Sequence, residues 1–224
     1  MVERCGVTHK FAHTRFWAGE VRTGLGLSAG LKLLQTEAVS DCDSLDGDLR
    51  LSLAYRPGNS RWIVFDRLDY KLQNQQDSTG RPDSSRIVNN LNANFKPAAR
   101  WQLALQYGAK YVFDTIDGDD FAGYTDLTGL EVRYDLTVRW DLGLQASVLH
   151  SWQAGQLDYR TGLSVGYAMF KNTWISLGYN FSGFKDQDFS AADYAAQGPY
   201  LKFRLKFDQQ SVRQMVDWFS GADR

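Results

Sequence analysis

From Trp101 the chain alternates strictly: Trp101, Leu103, Leu105, Tyr107, Ala109, Tyr111 and Phe113 share one parity, and Gln102, Ala104, Gln106, Gly108 and Lys110 the other. A strand sends successive side chains to opposite faces, so this segment has one apolar face and one small or polar face. The pattern recurs in Leu163, Val165, Tyr167 and Met169 against Gly162, Ser164, Gly166 and Ala168. It recurs again in Leu201, Phe203, Leu205 and Phe207 against Lys202, Arg204 and Lys206. It predicts about ten strands: Thr23 to Gln35, Asp48 to Arg56, Arg61 to Leu72, Arg86 to Phe95, Trp101 to Asp114, Thr125 to Leu136, Trp140 to Trp152, Leu157 to Phe170, Thr173 to Phe184 and Pro199 to Phe207. Most exceed the roughly 5–6 residues usual in globular sheets and reach the about 9–11 that a tilted membrane crossing needs.

Three Arg-Trp pairs, Arg61-Trp62, Arg100-Trp101 and Arg139-Trp140, recur 39 residues apart, each after a tight turn; Trp174 opens a further run after Lys171-Asn172. Short turns stand at Pro57 to Ser60, Lys96 to Ala99, Thr137-Val138 and Lys171-Asn172. Longer polar loops are expected at Thr36 to Gly47, Gln73 to Ser85, Thr115 to Tyr124, Gln153 to Gln156 and Lys185 to Gln197. Short turns at one end, long loops at the other and aromatic girdles at both mark an up-and-down barrel that spans an outer membrane. Trp62, Trp101, Trp140 and Trp174 are then the periplasmic girdle, both chain ends lie on the periplasmic side, and the long loops are extracellular. Asp66 would share the lipid row with Val64 and Leu68, and a β-bulge near it is expected to turn the carboxylate inward. Residues 1–22 are left outside the barrel (23–208), and Val212, Met215, Val216 and Phe219 predict an amphipathic periplasmic helix within 209–224.

Composition alters this picture little. A mean hydropathy of -0.41 does not argue against a membrane, because a barrel hides its lipid face in every second residue. No apolar run reaches the about 18 residues of a spanning helix. Net charge -1, with basic residues spread along strands, excludes a nucleic-acid footprint. Cys5 and Cys42 lack metal-ligand spacing, and no cofactor is expected. Met1 to Lys10 lacks the apolar core of a secretory signal, which points to a removed leader or to the C-terminal piece of a longer exported protein.

The inward rows carry Arg50, Lys110, Glu131, Arg133, Asp135, Arg160, Lys202 and Arg204, with Arg67 and Lys71 as further candidates. In a narrow lumen such charges must be paired or hydrated. Mixed signs suggest a bridged filling, with a weakly anion-selective pore as the alternative. A third reading, a rim-sited hydrolase, rests on His150 and Ser151, but adjacent strand residues face opposite ways and cannot serve one another directly. The acidic segments Asp43 to Asp48 and Asp114 to Asp120 are candidate calcium ligands, although neither is an EF-hand loop.

The stretches Arg61 to Tyr70, Val88 to Asn94, Gln106 to Tyr111, Trp174 to Phe181 and Gly198 to Phe207 together resemble the C-terminal β-barrel of very large Gram-negative surface proteins, in which the barrel follows an array of extracellular repeat domains. The resemblance covers about residues 45 to 208 and implies an outer-membrane anchor with upstream domains and no known catalytic residues. The last strand, with Gly198, Leu201, Phe203, Leu205 and Phe207, also resembles the signal read by the outer-membrane insertion machinery. The expectation is therefore a monomeric anchor or surface-display barrel, in contact with outer-membrane lipid and lipopolysaccharide.

Overall fold

A computed structural model describes residues 7–38, 43–76, 83–116, 119–170, 173–184, 188–189 and 197–205. They form eleven strands: β1 Val7–Arg22, β2 Leu25–Ala38, β3 Asp43–Tyr55, β4 Trp62–Gln76, β5 Asp83–Ala98, β6 Trp101–Ile116, β7 Asp119–Asp135, β8 Trp140–Ser151, β9 Gln156–Phe170, β10 Thr173–Ser182 and β11 Gly198–Leu205. They lie in one antiparallel sheet in chain order, the up-and-down arrangement that the alternation predicts. Among the described residues no ladder joins β1 to β11. The segment set aside at the N-terminus supplies β1, which brings the count from ten to eleven. The odd count overturns the expectation that both chain ends lie on the turn side: Val7 stands at the loop end of the sheet and Leu205 at the turn end. The helix expected within 209–224 lies outside the described residues, as do Phe207, Cys5 and Cys42.

The Arg-Trp repeat has one geometric meaning at each occurrence. The carbonyls of Arg61, Arg100 and Arg139 accept the backbone N–H of Lys96 (2.9 Å), Asp135 (2.8 Å) and Ala168 (2.7 Å), which ties each turn to the next strand but one residue before the tryptophan. Two of these turns are closed by hydroxyls. Ser60 Oγ accepts the Trp62 N–H at 2.9 Å, and Thr137 Oγ1 accepts those of Arg139 and Trp140 at 3.2 and 3.0 Å. Thr137→Val keeps the shape and removes that acceptor, so a loss of roughly 1 kcal/mol is expected in unfolding titrations of the refolded protein. The β1–β2 turn needs Gly24, which has φ 79° and no room for a Cβ beside Pro57.

Outer and inner rows are inverted relative to a soluble barrel. Large apolar side chains face outward over the length of the strands: Leu105 is 47% exposed, Leu163 50%, Leu177 63% and Phe203 62%. The buried side chains include more polar residues (Asp69, Asn90, Arg133, Asp141, Ser176, Asn180) than large apolar ones (Val88, Leu127, Leu149, Phe189). Such an outer surface far exceeds the patches a soluble monomer tolerates. At the turn end it finishes in three cross-strand aromatic pairs: Trp62 on Phe95 with centroids 4.3 Å apart, and Trp101 on Tyr134 and Trp140 on Tyr167, each at 4.8 Å. At the loop end Tyr111, Phe113, Tyr124, His150 and Trp152 form the opposite girdle.

Two expectations are corrected here. The loops are shorter than anticipated, because the strands run on into them: only 39–42, 77–82 and 117–118 separate β2 from β3, β4 from β5 and β6 from β7. Nor does β4 bulge. Its register with β3 and β5 is unbroken, so Asp66 stays on the outer row opposite Leu53 and Leu91, where Asn89 Nδ2 donates to its Oδ1 at 2.8 Å. A side-chain partner, and not a kink, satisfies the carboxylate.

Candidate functional site

The concave inner face is the only surface where charge, buried polarity and cavity space converge among the described residues. Period two puts Arg50, Arg67 and Asp69 on it. Arg50 Nε donates to Asp69 Oδ1 at 2.7 Å, and Arg67 Nε lies 2.8 Å from Oδ2. A second cluster centres on Arg133, whose Nη1 reaches Asp141 and Nη2 Glu131, both at 2.6 Å. Gly166, opposite Asp141 on β9, leaves room for that carboxylate, because a Cβ there would meet its oxygens at 2.5 Å. Both cations of the sequence-predicted network that anchor these clusters, Arg50 and Arg133, therefore sit where alternation placed them.

The third cluster has no precedent in the strand pattern. The β10–β11 connection, expected to project outward, folds back into the lumen at Asp188 and Phe189. Arg86 Nη1 lies 3.2 Å and Lys110 Nζ 3.4 Å from the Asp188 carboxylate, and Asn90 Nδ2 donates to its carbonyl at 3.3 Å. Phe189 is wholly buried among the inward-facing Val88, Leu127 and Leu149, with Phe184 against them and Lys110 Nζ 5.4 Å from its ring centroid. Its seat is Gly108, where a Cβ would approach the ring to 2.5 Å. Asp188 and Phe189 are thus held as a plug by one ion-pair cluster and one apolar slot.

Below the plug the lumen is not filled. A cavity of about 490 Å³ is bordered by Asn92, Gln106, Glu131, Gln145, Arg160 and Lys202. Another of about 520 Å³ at the turn end is bordered by Lys96, Gln102, Arg133, Asp135, Asp141 and Trp174. Each is more than ten times what one water needs. In the first, Tyr200 lies across Gly178, and Gln145 Nε2 donates to Tyr200 Oη at 3.0 Å and to Asn180 Oδ1 at 2.9 Å. Asp135, Arg160 and Lys202 of the predicted network line these cavities, while Arg204 stands opposite Trp174 in the β10–β11 register. Lys71 pairs in register with Asp48, which also faces Lys32.

The predicted girdle loses one member. Trp174 shares the inner row of β10 with Ser176, Gly178 and Asn180 and pairs with Ala168 and Arg204, so it lines the turn-end cavity and not the outer surface. In the insertion-signal strand, Gly198 begins β11 with φ 133°, and Leu201 and Phe203 are exposed on the outer row, 56% and 62%. Leu205 stands opposite Thr173 in the register.

His150 and Ser151 point apart, as alternation requires. His150 faces outward beside Asp126, with Nδ1 3.9 Å from Oδ1 and Trp152 Nε1 donating to the same oxygen at 2.7 Å; Ser151 faces inward beside Thr125. The histidine belongs to the loop-end girdle. The acidic stretch at 43–48 is absorbed into β3, and Asp120 accepts from Thr115 Oγ1 at 2.8 Å. Among the described residues no three carboxylate, histidine or cysteine groups gather as a cation site.

No family model and no curated protein matches the chain. Solved structures similar in shape include the KdgM porin in complex with disordered oligogalacturonate, 15% identical with a TM-score of 0.42 over 89% of this chain and 98% of that one. The NanC porin is 12% identical with a TM-score of 0.43 over 89% and 94%.

Proposed function

We propose that the chain is an outer-membrane β-barrel working as a small, weakly anion-selective channel, with its loop-end mouth narrowed by its own β10–β11 connection. The lumen below the plug carries this reading. A bridged filling, as a pure anchor would have, should leave inward charges packed against one another, whereas here cavities of about 490 and 520 Å³ stay open beside them. Arg160 and Lys202 border the first together with Glu131, a balance that favours anions modestly. The exposed apolar rows and the two girdles support placement in a bilayer. In this reading the turn end is periplasmic, lipid and lipopolysaccharide cover the outer rows, and the insertion machinery reads β11. The anchor role, with upstream domains, remains the second reading. It is favoured by the plug itself.

Planar-bilayer recording separates the two. The refolded protein is expected to give small single-channel steps with a modest anion preference. Gly108→Val, which evicts the Phe189 ring from its seat, should enlarge those steps several-fold without impairing folding. Silence from both proteins, each folded by the heat-shift criterion, would favour the anchor.

A further inference from the structure

Apart from Asp126, which is held in the loop-end girdle by Trp152 and His150, the outer rows of the described residues carry charge away from the strand ends in two places, and the signs are opposite. On β4, Asp66 projects from the apolar band between Val64 and Leu68, held by Asn89. On β1, His13 and Arg15 occupy the outer row between Phe11 and Trp17, with Arg15 Nε donating to His13 Nε2 at 3.3 Å. Phe11 and Trp17 are 58% and 55% exposed, so no described residue covers this strip.

The two sites lie at one depth. The girdle calibrates the tilt: Trp62 pairs through Phe95 to Leu103, and Trp101 lies two residues nearer the turn end; Trp101 pairs through Tyr134 to Leu142, and Trp140 again lies two residues nearer. Constant depth therefore slips one residue per strand. Tracing back from Asp66 through Leu53 and Leu27 reaches Gly19 on β1, and three residues of slip toward the loop end give Phe16. Arg15 is its neighbour, within about 3 Å of the depth of Asp66. Midway, on β2 and β3, the same construction falls on the paired Ala29 and Leu51, a small residue flanked by Leu27, Leu31 and Leu49.

We infer that β1–β4 form a dimer interface, in which Arg15 of one copy meets Asp66 of a second copy and the reverse. The two-fold axis runs along the membrane normal through the Ala29–Leu51 strip. A two-fold contact must be self-complementary, and a cationic and an anionic site at equal depth on either side of a small-residue centre satisfy that condition. For two chains in the same membrane orientation, a two-fold contact requires an axis along the membrane normal. The inference rests on the outer rows facing lipid, and it replaces the expectation of a monomer.

The test uses the refolded full chain with Cys5→Ser and Cys42→Ser. Sedimentation in density-matched detergent is expected to give twice the chain mass. Arg15→Asp or Asp66→Arg alone should halve it, and the two together should restore it. Ala29→Cys, on the axis, should cross-link to itself in membranes, whereas Leu144→Cys on β8 should not. A heat-modifiable barrel that sediments as a monomer without the Ala29→Cys cross-link overturns the inference. So does a dimer indifferent to both charge reversals, or cross-linking of Ala29→Cys to a different protein. A chain that is soluble without detergent would instead remove the lipid-facing reading beneath it.

Discussion

Leu105→Arg is expected to block folding into micelles or bilayers, while Gln106→Arg, one residue on, folds almost as the parent does. Leu105 is 47% exposed on the outer row of β6, between the two girdles, where a guanidinium would face hydrocarbon at a cost of about 2–4 kcal/mol. Gln106 borders the cavity that already holds Arg160, Lys202 and Glu131, so an added cation there is hydrated and has a carboxylate within the same chamber. Folding yield and the urea midpoint in detergent check the pair. Equal tolerance would mean that inner and outer faces have been exchanged.

The second large effect is expected at Arg133. Its side chain, 6% exposed, holds Glu131 and Asp141 at 2.6 Å each. Arg133→Met leaves two carboxylates on one wall with no cation between them, and removing one partner of a buried ion cluster costs about 3–5 kcal/mol. The loss should appear as a lower midpoint in unfolding followed by tryptophan fluorescence. Adding Glu131→Gln and Asp141→Asn to the same chain removes the stranded charges and should recover most of it. A triple variant no more stable than Arg133→Met would mean that packing of the arginine stem, and not its charge, holds the cluster.

Period-two alternation made most of the wall legible, because each strand has two faces in contrasting surroundings. Arg50, Lys110, Glu131 and Arg133 could be assigned inward from parity alone. Their partners Asp69 and Asp141 follow from the same rule, Asp69 two residues after Arg67 and Asp141 one after Trp140, although the expected mixed-sign network omits both. Trp174 shows where the tryptophan repeat misleads: alternation with Ile175, Leu177 and Tyr179 on the outer row of its own strand already puts it inward, against the girdle role suggested by its place after a turn. The plug was illegible for a different reason. Lys185 to Gln197 reads as a polar loop, and the contacts that draw Asp188 and Phe189 inward come from Arg86, Val88, Lys110, Leu127 and Leu149 on four other strands. The slot is visible only when those inward apolar residues are seen together, since each alone looks like a stray on a polar face. β1 escaped because its outer row carries His13 and Arg15, which break the apolar alternation that identifies the other strands.

The claim on which the rest depends is that the apolar rows face lipid around a polar lumen. Electrophoresis of detergent-refolded protein, with one sample boiled and one not, tests it most directly. A folded barrel is expected to stay out of solution without detergent and to migrate at a different apparent mass when unheated, with the difference abolished by boiling. A soluble, monodisperse chain in detergent-free buffer, with identical mobility before and after heating, would contradict it.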